Sequence, residues 1–210
     1  MSPAHVAIVP VKPPGVGKSR LVSVPDDQRG RLAVAFATDT LRACLAARRV
    51  AAVLVVTDDA GLAEYAASLG ATVTDEPGTG EGLNGALRHG AAVAARRWPQ
   101  LRPFALCADL PALLPDELDA ALGGLSDAPG FVADAHGTGT TMYSASTSDF
   151  APHFGAHSAD AHRVSGAVPV SGSLVGLRLD VDDAEDLASA VTHGVGAATR
   201  NALRMLPGPR

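Results

Sequence analysis

Residues 52–59 read AVLVVTDD, an apolar run followed by one threonine and two aspartates. A run that is rich in β-branched residues and lacks helical spacing predicts a strand, and the aspartates are suited to cap a following helix. Residues 6–11, VAIVPV, and residues 104–108, FALCA, show the same kind of apolar run. Because strands and helical segments alternate over the first 125 residues, we expect an α/β fold, doubly wound around a mostly parallel twisted sheet.

The remaining elements follow from the same periodicities. We predict helices at 28–47, 59–68, 83–97, from 115 onward and at 184–191, and further strands at 71–74, 130–135, 140–144 and 177–182. Residues 146–166 are rich in Ser, His and Gly and carry no predicted element. The sequence has no internal repeat and no interdomain linker, so we expect a single domain over residues 1–210, with a core at about 5–195 and a frayed tail at 201–210.

The composition excludes several classes of protein. Of the 210 residues, 47% are hydrophobic and 19% charged, which is too apolar for a disordered chain. The formal net charge of −5 argues against a general nucleic-acid binder. The sequence has no apolar run of roughly 18 residues, no signal-like N-terminus, and no metal-ligand or disulfide pattern in its two cysteines. We therefore expect a cytoplasmic protein without nucleic-acid or membrane partners.

The loop after the first strand, residues 12–20, reads KPPGVGKSR and is rich in cations and glycines. Its last part is similar to a Walker A phosphate loop, but that motif requires glycine where Lys12 stands, and two prolines remove amide donors. We interpret the segment as a different anion-binding loop, with charge from Lys12, Lys18 and Arg20. A solvated basic loop explains this segment equally well when it is taken alone.

Carboxylates follow two of the predicted strands. Asp109 ends the third apolar run, and Asp180 and Asp182 lie in the predicted strand 177–182, where alternation puts them on the same side. Ligands of open parallel sheets bind beyond the carboxyl ends of the strands, so these aspartates are candidate ligands of a divalent cation. Helix capping is the alternative, by Asp109 for the fourth helix and by Asp182 or Asp183 for the last one.

Small and hydroxylated residues form a second group of candidates. Residues 137–140 read GTGT, and residues 154–158 read FGAHS. The hydroxyls of Thr140 and Ser158 and the backbone amide of Gly155 suit a compact phosphate or carboxylate. Taken separately, each stretch is most simply a turn. The seven histidines show no zinc-protease spacing, and we expect most of them at the surface.

These segments follow one another in the order of a known family. The motifs are VK at 11–12, KSRL at 18–21, EGLNGAL at 81–87, ADLP at 108–111, VADAHGTGT at 132–140, FGAHS at 154–158 and DVD at 180–182. Over roughly residues 5–195 the chain resembles the guanylyltransferases of deazaflavin coenzyme F-420 biosynthesis, which act on 2-phospho-L-lactate or phosphoenolpyruvate (CofC/FbiD). The resemblance implies a fold like that of nucleotide-diphospho-sugar transferases and the molybdenum-cofactor guanylyltransferase (MobA-like), with Mg²⁺ as cofactor and GTP as co-substrate.

The resemblance also implies a role for each candidate residue. The implied groups are the triphosphate ligands Lys12, Lys18 and Arg20, the nucleoside ligands Gly82 and Asn84, the Mg²⁺ ligands Asp109 and Asp180 with Asp182 close by, and the acceptor-acid ligands Thr140, Gly155 and Ser158. Of these, the three cations and Asp109 are expected to act on the reacting phosphates.

The implied reaction is transfer of GMP from GTP to phosphoenolpyruvate, with release of pyrophosphate. 2-Phospho-L-lactate and 3-phosphoglycerate are alternative acceptors. Two other hypotheses stay open: a kinase that uses residues 17–19 as its phosphate loop, and a non-catalytic nucleotide-binding regulatory module. The expected partners are GTP, a phosphorylated three-carbon acid and the downstream deazaflavin transferase, and a homodimer is an open alternative to a monomer.

Overall fold

The computed structural model describes residues 4–13, 21, 26–76, 78 and 82–206. Within these ranges the strands are β1 (His5–Pro10), β2 (Val50–Val56), β3 (Thr72–Thr74), β4 (Arg102–Leu106), β5 (Gly130–Ala133), β6 (Thr140–Ser144) and β7 (Val168–Pro169). The helices are α1 (Asp26–Ala46), α2 (Ala60–Leu69), α3 (Gly82–Arg97), α4 (Pro115–Gly123), α5 (Ser158–Val164), α6 (Val175–Arg178), α7 (Ala184–His193) and α8 (Ala197–Arg204). In this part of the chain, no helix combines the length and the apolar character that a membrane crossing requires.

The described strands form one sheet in the order β3-β2-β1-β4-β6-β5-β7. β1 pairs in parallel with β2 on one side and with β4 on the other, and β3 extends the sheet parallel to β2. β6 runs antiparallel to both of its neighbours, and β7 pairs in parallel with β5. The predicted α/β fold with a mostly parallel sheet is therefore confirmed.

Helices cover both faces of the sheet, as the packing of β1 shows. Ala7 and Val9 belong to a core cluster with residues of α1, α2 and α4, whereas Ile8 belongs to a second cluster with residues of α3. A strand that is buried on both faces needs apolar residues at consecutive positions, which is the pattern of residues 6–11. Gly90 lets α3 approach closely, because a Cβ there would lie 2.5 Å from Cγ2 of Ile8.

The predicted ends of α2 are also confirmed. The side chain of Asp59 accepts a hydrogen bond from the backbone N–H of Leu62 at 2.8 Å, which satisfies one of the free donors of the first turn. Gly70 follows the helix with φ of 103°, a left-handed conformation that glycine adopts without a steric penalty. Local capping chemistry therefore sets both ends of this helix.

The predicted strand at 177–182 is wrong. Helix α6 extends through Arg178, and residues 179–183 belong to neither helix nor strand. Apolar residues alternate at these positions as they would in a strand, but none of the described strands pairs with them. Instead, the backbone N–H of Val181 donates to the carbonyl oxygen of Asp109 at 3.1 Å, so this segment is a loop that is bonded to another loop.

The prediction of a frayed tail from residue 201 is wrong for residues 201–206. α8 continues to Arg204, and three apolar residues of this segment pack against the core cluster that contains Leu32 and Phe36 of α1. The buried side chain of Asp39 in α1 caps α8 by accepting hydrogen bonds from the backbone N–H groups of residues 198 and 199 at 3.0 and 2.8 Å. Packing and capping by a distant helix therefore order this segment.

We predict that Asp39→Ala lowers the free energy of unfolding by about 1–3 kcal/mol, because it leaves two backbone N–H groups of α8 without their acceptor. Urea unfolding followed by circular dichroism measures this loss. Glu64→Ala, which removes an exposed acid from α2, serves as the control and should change stability by less than about 0.5 kcal/mol. Equal stability of Asp39→Ala and the control would mean that the cap contributes nothing.

Candidate active site

A pocket lies where the strand order reverses direction. The chain proceeds from β1 outward to β2 and β3, and then returns to the other side of β1 to form β4. A crevice at such a point is where ligands of doubly wound sheets bind. The pocket has a volume of about 230 Å³, and its lining includes Val11 and Lys12 after β1 and Ala108 and Asp109 after β4. Its other walls are apolar and come mainly from α1 and α3.

The expected triphosphate ligands are described only in part. Lys12 is exposed and lines the pocket, at the carboxyl end of β1 where the prediction put it. Lys18 and Arg20 lie outside the described residues, so their role stays a prediction. The described part of the pocket combines one ammonium group, one carboxylate and apolar walls.

Asp109 is held in place by a residue that the sequence analysis missed. The hydroxyl of Thr40 in α1, which is fully buried, accepts from the backbone N–H of Leu110 at 3.1 Å, and its one hydrogen is shared between the carbonyl oxygens of Phe36 at 2.9 Å and Ala108 at 3.1 Å. The backbone on both sides of Asp109 is therefore anchored to a core helix. The alternative role of Asp109 as a helix cap is wrong, because Leu114 occupies the N-cap position of α4.

Asp180 lies next to Asp109, and the two share a strongly acidic environment. Burial is the largest cause that raises the pKa of Asp180, followed by the nearby carboxylates of Asp109, Asp182 and Asp134, and together they bring it to about 8. The bond from Val181 to Asp109 joins the two loops. Asp182 is exposed and contributes to this field, although the strand that was expected to align it with Asp180 does not exist.

Helix α7 has its own cap. Asp183 accepts hydrogen bonds from the backbone N–H groups of Glu185 at 2.9 Å and Asp186 at 3.1 Å, as one of our alternatives predicted. Capping of α7 therefore does not require Asp180 or Asp182, and both carboxylates remain candidates for binding a cation.

The described residues contain no group of three or more His, Cys, Asp or Glu side chains that is arranged to hold a metal ion unaided. Mg²⁺ in nucleotide enzymes typically takes one or two protein carboxylates, with the remaining oxygens coming from phosphates and water. Asp109 and Asp180 offer two hard oxygen donors at the pocket edge. A cation would relieve the repulsion that raises the pKa of Asp180, so these residues fit such an ion.

The three expected acceptor-acid ligands are brought together by a helix that the sequence analysis did not predict. α5 begins at Ser158, whose backbone N–H donates to the carbonyl oxygen of Gly155 at 3.2 Å. The next residue, Ala159, donates to the carbonyl oxygen of Thr138 at 3.1 Å, which holds the start of α5 against the turn before β6. Gly155 has φ of 135°, a conformation that only glycine adopts readily. Thr140 and Ser158 are both buried.

Asn84 contacts the loop at residues 154–158. Its Nδ2 donates to the carbonyl oxygen of Phe154 at 2.9 Å, and its Oδ1 accepts from the backbone N–H of Phe154 at 2.8 Å. The side chain of Phe154 also lines the pocket. Asn84 therefore joins the start of α3 to the loop at 154–158, whereas direct contact between Asn84 and a nucleoside stays a prediction. Gly82, the other expected nucleoside ligand, is exposed at the first position of α3.

The sequence analysis also missed two buried histidines and one arginine. His5 and His162 are buried and His89 is half-buried, whereas the other four histidines are exposed, so the expectation that most of them lie at the surface is confirmed. The guanidinium of Arg178 donates to the carbonyl oxygens of Ala133 at 2.9 Å and Val170 at 3.1 Å, which ties β5 to the segments that follow it. Neither feature carries a local sequence signal, because each depends on contacts between distant segments.

We predict that Asp180→Asn raises the melting temperature of the ligand-free protein, and more so at pH 8 than at pH 4.5. The folded protein retains a proton on Asp180 that the unfolded chain releases above a pKa of 3.8, so the group costs stability progressively as pH rises from about 4 to about 8. Thermal unfolding in buffer without divalent cations measures the effect. Asp127→Asn, at an exposed position, is the control. A lower melting temperature for Asp180→Asn at pH 8 would contradict this electrostatic account.

We predict that Asn84→Ala accelerates hydrogen exchange at the backbone N–H of Phe154 by more than about tenfold, because that group loses its acceptor. The change should also cost about 1–3 kcal/mol in the free energy of unfolding. Asn84→Asp keeps an acceptor and should preserve most of the protection, while Asn201→Ala tests an exposed asparagine in α8. Unchanged exchange in Asn84→Ala would show that water replaces the side chain without loss.

Comparisons with known proteins agree with this geometry. The model of the family "Guanylyl transferase CofC like" matches residues 5–207. A phosphoenolpyruvate guanylyltransferase of Streptomyces coelicolor is 49% identical over 197 residues, which cover 91% of this chain and 92% of the relative. Another relative of the same name, from Geodermatophilus obscurus, is 45% identical over 204 residues, which cover 93% of this chain and 92% of the relative.

Solved structures show the same fold at low sequence identity. A protein from Desulfovibrio desulfuricans G20, described as a nucleotide-diphospho-sugar transferase, aligns with a TM-score of 0.68 at 19% identity, over 97% of this chain and 95% of its own. A 4-diphosphocytidyl-2C-methyl-D-erythritol synthase from Anaerococcus prevotii aligns with a TM-score of 0.60 at 11% identity, over 90% of this chain and 95% of its own. These likenesses confirm the predicted fold alone. From the family model and the two sequence relatives, we conclude that the chain belongs to the CofC guanylyltransferase family.

Proposed function

We propose that this protein is a cytoplasmic, Mg²⁺-dependent enzyme that transfers GMP from GTP to phosphoenolpyruvate in coenzyme F-420 biosynthesis. The observation that carries the proposal is the pocket beyond β1 and β4, which Lys12 and Asp109 line and beside which the loop of Asp180 is bonded to the loop of Asp109. The relatives described above are named for this reaction and cover more than 90% of the chain. The product is a substrate for the downstream deazaflavin transferase.

The chemistry requires positive charge more than it requires a general base. A phosphate oxygen of phosphoenolpyruvate attacks the α-phosphorus of GTP, the bond to the bridging oxygen of the β-phosphate breaks, and pyrophosphate leaves. The nucleophile is already an anion, so no proton has to be removed from it. Both reactants are highly negative, so the site must bring cations to the α-phosphate and to the leaving group.

Asp109 and Asp180 would hold Mg²⁺, with Asp182 next to them. The ion, when bound, would neutralise charge on the α-phosphate and on the leaving pyrophosphate. The protein supplies the placement of these carboxylates: Thr40 fixes the backbone around Asp109, and the bond from Val181 brings the loop of Asp180 alongside.

The nucleotide binds in the pocket between β1 and β4. Lys12 contacts its phosphates from the pocket edge, and Lys18 and Arg20, from the loop that follows, add further charge. The apolar walls from α1 and α3 cover the nucleoside. Asn84 supports this site indirectly, because it holds the backbone of Phe154, whose ring forms part of the lining.

The acceptor acid binds at the adjoining turn between β6 and α5. The hydroxyls of Thr140 and Ser158 and the backbone of Gly155 are suited to the oxygens of a compact anion. The carbonyl oxygen of Thr140 lies 3.5 Å from Sγ of Cys107, only two residues before Asp109, so an acid bound there is close to the carboxylates. The names of the relatives favour phosphoenolpyruvate over 2-phospho-L-lactate and 3-phosphoglycerate as this acid.

The proposal is tested by pyrophosphate release from GTP and Mg²⁺ with each of the three acids in parallel. We expect release with phosphoenolpyruvate, and loss of at least about a hundredfold in kcat for Asp109→Asn, because the variant removes a charged ligand at the reacting phosphates. Asp116→Asn, an exposed acid of α4, is the matched control and should retain activity.

Each other outcome has a distinct meaning. Release with another acid alone would keep the reaction and correct the acceptor. Formation of GDP or ADP with transfer of the γ-phosphoryl group would favour the kinase hypothesis. Binding of GTP without any release, in the presence of the downstream transferase, would favour a non-catalytic binding module and overturn the proposal.

A further inference from the structure

We propose that His162 is a positioning residue that turns the Thr140 hydroxyl into a hydrogen-bond donor for the acceptor acid. This inference rests on the proposed function, in which the acid binds at Thr140. In this role the buried imidazole of His162 in α5 orients the hydroxyl of Thr140.

The hydrogen bonds of the imidazole ring define where its proton lies. Nε2 of His162 is 3.0 Å from the backbone nitrogen of His153, whose N–H is only a donor, so Nε2 is the acceptor. In a neutral imidazole the other nitrogen then carries the proton. Nδ1 lies 3.0 Å from Oγ1 of Thr140, so its proton is available to that oxygen, with the backbone carbonyl of Ser158 as a second acceptor beside it. The ring thus occupies a lone pair of the hydroxyl and leaves the hydroxyl hydrogen unused.

The surroundings keep the ring neutral and fixed. His162 is fully buried and stacks on Tyr143, with ring centroids 4.7 Å apart, and on Phe131, with centroids 5.6 Å apart. The edge of Phe154 closes a third side at 5.5 Å. Burial, and to a smaller extent the nearby His153, lower the pKa of His162 to about 4, so the imidazole is uncharged at neutral pH. A neutral ring held in this way presents only one tautomer to Thr140.

The hydroxyl of Thr140 needs an acceptor that the described part of the chain does not provide. Within the described ranges, His162 is the one group that hydrogen-bonds this hydroxyl, and Thr140 is only 5% exposed. A buried O–H without an acceptor costs free energy, which an anionic oxygen at this position recovers. The sheet also aims the side chain: the register between β5 and β6 shifts at Ala133, next to Thr140, and such irregularities redirect side chains.

Two substitutions separate the two hydrogen bonds of the ring. His162→Asn can place an amide N–H near the position of Nδ1 and so keep the donor to Thr140. His162→Gln places its amide near Nε2 and so keeps the acceptor for the N–H of His153 but loses the donor. We expect His162→Gln to raise KM for phosphoenolpyruvate by about 10- to 100-fold with little change in KM for GTP. His162→Asn should stay within a few-fold of the wild type, and His193→Gln, at an exposed position of α7, should match it.

A double-mutant cycle with Thr140→Val tests whether His162 acts through the hydroxyl. Thr140→Val should raise KM for the acid to a similar extent, and His162→Gln should add almost nothing in that background. Additive effects of the two substitutions would overturn the inference. So would a His162→Gln variant that raises KM for phosphoenolpyruvate and KM for GTP equally and melts at a lower temperature, because His162 would then be a purely structural residue.

A spectroscopic measurement keeps this test independent of the reaction. ¹⁵N NMR of the ring in the resting protein should show a protonated Nδ1 and an unprotonated Nε2 at pH 7. A proton on Nε2 would overturn the inference even if the enzyme transfers GMP as proposed. If the wild type instead shows the expected tautomer but no turnover with any acid, the proposed function fails, and with it the role of Thr140 as a ligand of the acid.

Discussion

The structure depends on the parallel pairing of β1 between β2 and β4. Because β1 is covered on both faces, its residues 6–9 are all buried, and both of its neighbours run parallel to it. The carboxyl ends of β1, β2 and β4 therefore lie at the same edge of the sheet. The connection after β1 leads to one side, and the chain later returns to form β4 on the other side. The pocket lies in the crevice that this arrangement leaves, and the candidate ligands Lys12 after β1 and Asp109 after β4 line it.

The carboxylates of Asp109 and Asp180 are held close together at a cost in the stability of the folded protein. Asp109 is fixed by a fully buried threonine on one of the core helices, and Asp180 is fixed by a backbone bond to the same loop. Burial, together with repulsion among these carboxylates, raises the pKa of Asp180 to about 8. Such an arrangement is unfavourable in an empty site and favourable around a cation and phosphates, so binding recovers what folding loses.

The part of the candidate site that contains Thr140 and Ser158 is positioned by an antiparallel strand and a helix rather than by parallel strands. β6 runs antiparallel to β4, so its first residue, rather than its last, lies at the functional edge. α5 then packs its start against the turn before β6, and Asn84 of α3 holds the loop between them by the backbone of Phe154. The pocket and the loop before α5 thus share a wall at Phe154, and the ring of His162 contacts both Phe154 and the Thr140 hydroxyl.

The sequence by itself determined the alternation of strands and helices in the first half, the ends of α2 and the family motifs, because these depend on local periodicity and capping. It could not determine that residues 179–183 form a loop, since alternating apolar residues predict a strand whether or not a partner strand exists. It also could not show that Asp39 orders α8, that Thr40 braces Asp109 or that His162 is buried. Each of these depends on two segments that are distant in the chain, and only the tertiary structure decides which buried polar groups become partners.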